Sequence, residues 1–151
     1  MLKKQALALA IVVVFDLLMM VDATAQTSPV GLWKSMDDTT AKPAALIRIT
    51  DNHGQLVGKI EKLFELPDDN RNPRCTECTD ARKNQPIIGM TIIDGMHVDG
   101  NGYGGGNILD PDNGKVYKSR MTLTDNGKKL QVRGYIGVPL LGRTQIWVRE
   151  E

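Results

Sequence analysis

The sequence predicts an all-β domain: an antiparallel up-and-down barrel of about eight strands that follows an N-terminal signal peptide. Three observations predict it. Short runs alternate apolar and polar residues between closely spaced turn signals. Two Asn-Gly pairs, Asn113-Gly114 and Asn126-Gly127, are flanked by such runs. Asn and Gly tolerate the positive φ that tight hairpins need, so these pairs read as hairpin turns. No stretch after residue 26 carries a helical period, apart from one turn expected near Thr79–Lys83.

The chain has 151 residues, which fits a single domain with its own core. The first 25 are read separately. Lys3 and Lys4 precede an apolar run from Ala6 to Val21, interrupted by Asp16, and Ala23-Thr24-Ala25 supplies small residues before Gln26. This is the layout of a cleaved secretory signal. An uncleaved N-terminal anchor is the alternative, because Asp16 weakens the apolar run. Cleavage would leave residues 26–151 as one β-barrel domain with no membrane span, periplasmic or secreted.

The strands follow in order. Gly31–Ser35 opens the domain. Ala45–Thr50 sets Ala45, Ile47 and Ile49 against Leu46, Arg48 and Thr50, and Asp51-Asn52-His53-Gly54 then reverses the chain. Gln55–Leu63 alternates again, with Leu56 and Ile60 on one side. Pro86–Ile93 and a short run near Asn107–Leu109 come next. Lys115–Thr124 puts Tyr117, Ser119, Met121 and Leu123 on one face, Leu130 and Val132 continue after the second Asn-Gly, and Arg143–Arg149 is the last run. Closing such a meander removes its exposed edges, and eight strands leave room for side chains or one small ligand. A β-sandwich is the competing architecture. The expected interior is Ile47, Ile49, Leu56, Ile60, Tyr117, Met121, Leu130 and Val132.

Several function classes are disfavoured. Nineteen basic and eighteen acidic residues give a formal charge of +1, without the field that attracts nucleic acid. Residues 100–105, GNGYGG, match G-x-G-x-x-G. A dinucleotide site needs that loop to open a helix whose N-terminal amides hold the pyrophosphate. Here Asn107-Ile108-Leu109-Asp110-Pro111 follows, so the glycines read instead as a wide turn and a strand start with little side-chain bulk. Asp110-x-Asp112 lacks the remaining ligands of a calcium loop. No cofactor, metal or catalytic set is indicated, and no pattern encodes an oligomeric state.

Cys75-Thr76-Glu77-Cys78 holds the two cysteines. A zinc site would need two more ligands, and neither His53 nor His97 has the spacing. A redox dithiol would sit at a helix start in an α/β fold. A small structural disulfide, stiffening a long polar loop, is the third reading and suits an exported chain.

Trp33 lies near the start of the domain, and Trp147 and Arg149 lie at its end. In a closed meander these strands are neighbours, so Arg149 could cross a tryptophan ring and close one end of the barrel. Small barrels of the lipocalin and avidin kind begin with a similar Gly-x-Trp and carry a basic residue on the last strand.

The chain also resembles the exported bacterial family known as domain of unknown function 2147. The resemblance rests on Gly31-x-Trp33, Cys75-x-x-Cys78, Pro86-Ile87-Ile88-Gly89 and Gly105-Gly106-Asn107-Ile108-Leu109-Asp110-Pro111-x-x-Gly114-Lys115-x-Tyr117. It continues in Val132-Arg133-Gly134-Tyr135 and Leu141-Gly142-Arg143-Thr144-Gln145-x-Trp147-x-Arg149. It implies an exported, lipocalin-like barrel without an established activity.

These readings lead to a small apolar or amphipathic ligand held in the barrel or at its mouth, with Tyr117, Met121, Arg133 and Arg143 as candidate contacts. An envelope interaction module is the alternative, presenting Val138-Pro139-Leu140-Leu141; a thiol redox protein using Cys75 and Cys78 is a third. The Arg143, Gln145, Trp147 and Arg149 face is expected outward, because Ile146 and Val148 form the apolar side. Barrel closure by Arg149 would require the reverse.

Overall fold

A computed structural model of the chain describes residues 27–64, 66 and 70–151; the expected signal peptide lies outside the described residues. Eight strands form a closed antiparallel barrel in sequential order: β1 (Gly31–Met36), β2 (Pro43–Asn52), β3 (Gln55–Leu63), β4 (Thr91–Asp99), β5 (Gly102–Asp110), β6 (Lys115–Thr124), β7 (Lys129–Tyr135) and β8 (Arg143–Arg149). β1 and β8 complete the cylinder, with Trp33 opposite Arg149 and Lys34 opposite Val148. Among the described residues, no strand is left with an unpaired edge.

The alternating runs become the strands for a simple reason. Successive side chains point to opposite faces, so a period of two gives each strand one buried side. On β2, Ala45, Ile47 and Ile49 are buried; on β3, Leu56 and Ile60; on β7, Leu130 and Val132. Each of the buried Leu, Ile and Val side chains contributes roughly 1.5–3 kcal/mol when fully removed from water. Trp33 and Trp147 are the largest members of this core.

Turn chemistry fixes the reversals. The β2–β3 turn holds His53 and Gly54 at φ of 55° and 85°, and the Gly54 N–H donates to Asp51 Oδ1 at 2.7 Å. The β6–β7 turn places Asp125, Asn126 and Gly127 at φ of 53°, 52° and 81°. These positive angles suit Asn, Asp and Gly.

Three expectations change. The strand expected at Pro86–Ile93 begins later, at Thr91, and runs to Asp99. The short run near Asn107–Leu109 is the end of a longer strand that contains Gly104, Gly105 and Gly106. Residues near Thr79–Lys83 form turns rather than a helix, closed by Lys83 N–H to Asp80 O at 3.0 Å. A short 3₁₀ turn at Pro139–Leu141, which no helical period announces, lies between β7 and β8.

The glycine cluster is thus strand, not phosphate loop. The β5–β6 register shifts between Tyr103 and Gly106, which marks a bulge. Gly105 sits there at φ of 74°, and a Cβ on it would meet the His97 ring at 2.1 Å. The backbone angle is what favours glycine at that point, since the exposed His97 ring can turn away.

Candidate functional site

The two ends of the barrel differ. At one end lie the start of β1, the β2–β3, β4–β5 and β6–β7 turns, and the end of β8. Arg149 ties the segment before β1 to the β6–β7 turn. Its guanidinium carbon sits 4.2 Å from the centre of the Trp33 ring. Its nitrogens donate to the carbonyls of Gly127 (2.7 Å), Val30 (2.9 Å) and Ser28 (2.6 Å). Trp33 Nε1 donates to Pro29 O at 2.7 Å, so the indole is satisfied although buried. Burial pushes the Arg149 pKa down from its ordinary high value, and the carbonyl fork replaces the lost water.

This settles which way β8 faces. Trp147 is buried, while Ile146 is 40% exposed. The Trp147 and Arg149 side therefore points inward, contrary to the outward orientation that Ile146 and Val148 suggested. The larger apolar ring gains the interior, and the polar residues flanking it find partners at the two ends. Arg149 meets its carbonyls at the closed end. Gln145 Oε1 accepts from Trp147 Nε1 at 3.1 Å, and Gln145 Nε2 donates to Asp38 Oδ2 at 3.2 Å.

The opposite end is built from the β1–β2, β3–β4, β5–β6 and β7–β8 connections. Asp38 in the β1–β2 loop also pairs with Arg143, joining that loop to the start of β8. Neighbouring Asp37 caps its own loop: it accepts from Thr40 N–H at 2.6 Å and Thr40 Oγ1 at 2.8 Å. These bonds hold its pKa below the usual carboxylate value. Asp112 shifts the other way. Its side chain reaches solvent, yet crowding by neighbouring protein, then the charges of Asp110 and Asp37, raise its pKa.

Cys75 and Cys78 are disulfide-bonded and fully buried. Around them, residues 74–86 form a small hairpin, with Cys75 N–H donating to Gln85 O and Asn84 N–H to Cys75 O, both at 2.9 Å. This hairpin packs on the β5–β6 turn. Cys75 Sγ lies 3.4 Å from Pro111 O, and a Cβ on Gly114 would meet Glu77 O at 2.0 Å.

The candidate ligand contacts are not brought together. Met121 is inside the core. Tyr117 is partly buried, and its hydroxyl accepts from Asn113 Nδ2 at 3.2 Å at the rim. Arg143 is mostly exposed and paired with Asp38. Arg133 donates to Pro139 O (2.6 Å), Thr144 Oγ1 (2.7 Å) and Leu140 O (3.2 Å), which fixes the β7–β8 loop. That loop carries an exposed apolar set: Ile136 is 65% exposed, Val138 54%, Leu140 85% and Leu141 78%.

The lumen itself is filled by side chains from Trp33, Ile49, Ile93, Met96 and Trp147 among others. Clefts indent the described part of the molecule elsewhere. One lies at the closed end, lined by Val98, Tyr103, Leu123 and Asn126. Another runs along the outer face past Arg48, Lys59, Glu61 and Ile88. Neither adjoins the apolar loop.

Sequence reasoning passed over Asp38, Met96 and the special position of Ser119. Ser119 is fully buried, and its Oγ has no hydrogen-bond partner. The signal for it was present: a hydroxyl on the apolar face of an alternating strand.

A family profile described as an uncharacterized protein conserved in bacteria, domain of unknown function 2147, matches residues 31–149. The chain belongs to this family. Members are thus represented here by a closed, lipocalin-like barrel. Among solved structures, protein HP1028 from Helicobacter pylori, described as belonging to the lipocalin family, is similar with a TM-score of 0.70. The two chains are 17% identical, and the match covers 83% of this chain and 85% of that one. At that identity the likeness concerns the fold. No curated protein sequence matches the chain.

Proposed function

We propose that this family member is an exported protein of the cell envelope, periplasmic or secreted, that binds a small apolar or amphipathic molecule at the end of its barrel that carries the β7–β8 loop. The observation that carries this reading is the apolar loop from Ile136 to Leu141. Four large apolar side chains within six residues stand in water there, on a backbone that Arg133 holds in place. Soluble proteins seldom keep such a patch ordered unless something covers it. The packed lumen supports the rim, rather than the barrel centre, as the seat of the ligand's apolar part. The lipocalin-like fold of HP1028 adds analogy at the level of architecture.

A second reading is an envelope interaction module in which another protein covers the same loop. The filled lumen favours it. Redox use of Cys75 and Cys78 is poorly supported, because both sulfurs are buried and closed to an incoming thiolate.

The test is a double substitution, Leu140→Asp with Leu141→Asp. Both side chains are exposed, so the fold should tolerate it. The native protein should bind an apolar fluorescent dye such as anilinonaphthalene sulfonate saturably, and the variant about ten-fold more weakly. Equal binding by both proteins would contradict the rim site. Equal dye binding, together with loss of a cross-linked protein adduct in intact cells, would favour the second reading.

A further inference from the structure

Among the described residues, Ser119 is the buried polar side chain that folding leaves unpartnered. It stands on the lumen face of β6 between Tyr117 and Met121, while Lys118 and Arg120 point out to solvent. A buried hydroxyl without a partner is a net cost, and alanine would fill the position without it. Its cross-strand neighbours are Gly106 on β5 and Gly134 on β7. Three adjacent strands therefore offer nothing bulkier than a hydroxymethyl group at this level. The row ends at Arg143, which pairs with Gly134 from β8.

Three side chains occupy the trough this leaves. Met96 Sδ lies 2.6 Å from where a Cβ on Gly106 would be, and Ile108 and Tyr117 carbons lie 3.5 Å from the equivalent point on Gly134. Methionine is unbranched, has three rotatable bonds and repacks readily.

We infer that the trough beside Ser119 is a lumenal subsite for the uncharged polar end of an amphipathic ligand, admitted when Met96 turns aside. This rests on the rim reading above and adds the ligand's chemical class. The ligand's tail would lead out to the apolar β7–β8 loop. Its head must be neutral, because the cation at this level, Arg143, is already engaged. Arg143 pairs with Asp38, and Arg149 lies at the far end of β8 with Trp33. A carboxylate at Ser119 would be buried without a counter-charge. An alcohol, ester or amide head would instead complete the missing hydrogen bond.

The experiment titrates purified protein calorimetrically with octan-1-ol, octanoate at neutral pH, and 1-chlorooctane. Octan-1-ol should bind about ten-fold more tightly than octanoate. Ser119→Ala, which removes only an unpartnered atom, should weaken octan-1-ol by about three- to ten-fold and leave 1-chlorooctane unchanged. Met96→Ala should tighten both. If the octan-1-ol to 1-chlorooctane ratio is the same in native protein and Ser119→Ala, the subsite is refuted and the hydroxyl serves an enclosed water only; the rim reading then stands. If octanoate binds as tightly as octan-1-ol, the neutral-head assignment is wrong. If native protein binds none of the three, the rim reading fails with it.

Discussion

Arg149 sits over Trp33, 4.2 Å from the ring centre, and the two residues also face each other across the β1–β8 seam. One side chain thereby joins the last strand to the first and holds the carbonyls of Ser28, Val30 and Gly127. The guanidinium is suited to this because its planar fork donates in several directions while its face stacks on the indole.

Arg149→Met should therefore destabilise the barrel by about 3 kcal/mol, since three charge-assisted hydrogen bonds and a cation–π contact are lost together. Arg149→Lys should recover only part, because an ammonium cannot serve the three carbonyls at once. Urea denaturation reads this as a lower midpoint at an unchanged slope. A midpoint within error of the native one would mean that Arg149 does not secure the seam.

The disulfide closes a short ring, so its entropic contribution is limited to about 2 kcal/mol. Replacing Cys75 and Cys78 together by alanine should leave the barrel folded and loosen the hairpin packed on Gly114. Amide exchange should rise at position 75 and at Asn84, whose N–H groups pair within that hairpin. Native protein should show no thiol-exchange activity toward insulin. Measurable insulin reduction would restore the redox reading.

Asp112 has a raised pKa in the folded chain. Its contribution to stability is present below the unfolded aspartate value and is lost as pH rises through the folded value. Asp112→Asn should therefore raise the melting temperature slightly at pH 7 and not at pH 3. Exposure of the side chain keeps the effect small. A gain at pH 3 equal to that at pH 7 would remove charge as the cause.

Much of the fold was legible because β-structure here is announced locally. Asn126-Gly127 marks a turn whose positive φ angles those residues accept, and the Lys115–Thr124 alternation gives the inward face of β6 directly. The β4–β5 region was harder. Gly104 to Gly106 carry no side chains to alternate, so a bulged strand looked like a loop. A period of two also leaves the sign of a strand undecided. On β8 the apolar pair Ile146 and Val148 pointed one way, and only the partners at the barrel ends, Asp38 and the closed-end carbonyls, decide for Trp147. Those partners are distant in sequence. The apolar Val138–Leu141 run was visible as a string of residues, whereas its fixation by Arg133 depends on carbonyls that no sequence pattern displays.

The most direct test of the central claim is native mass spectrometry of the protein purified gently from its own host. The account expects a second species, heavier than the polypeptide by one small molecule, that disappears when Leu140→Asp and Leu141→Asp are introduced. Repeated recovery of the bare polypeptide mass from native protein would contradict it.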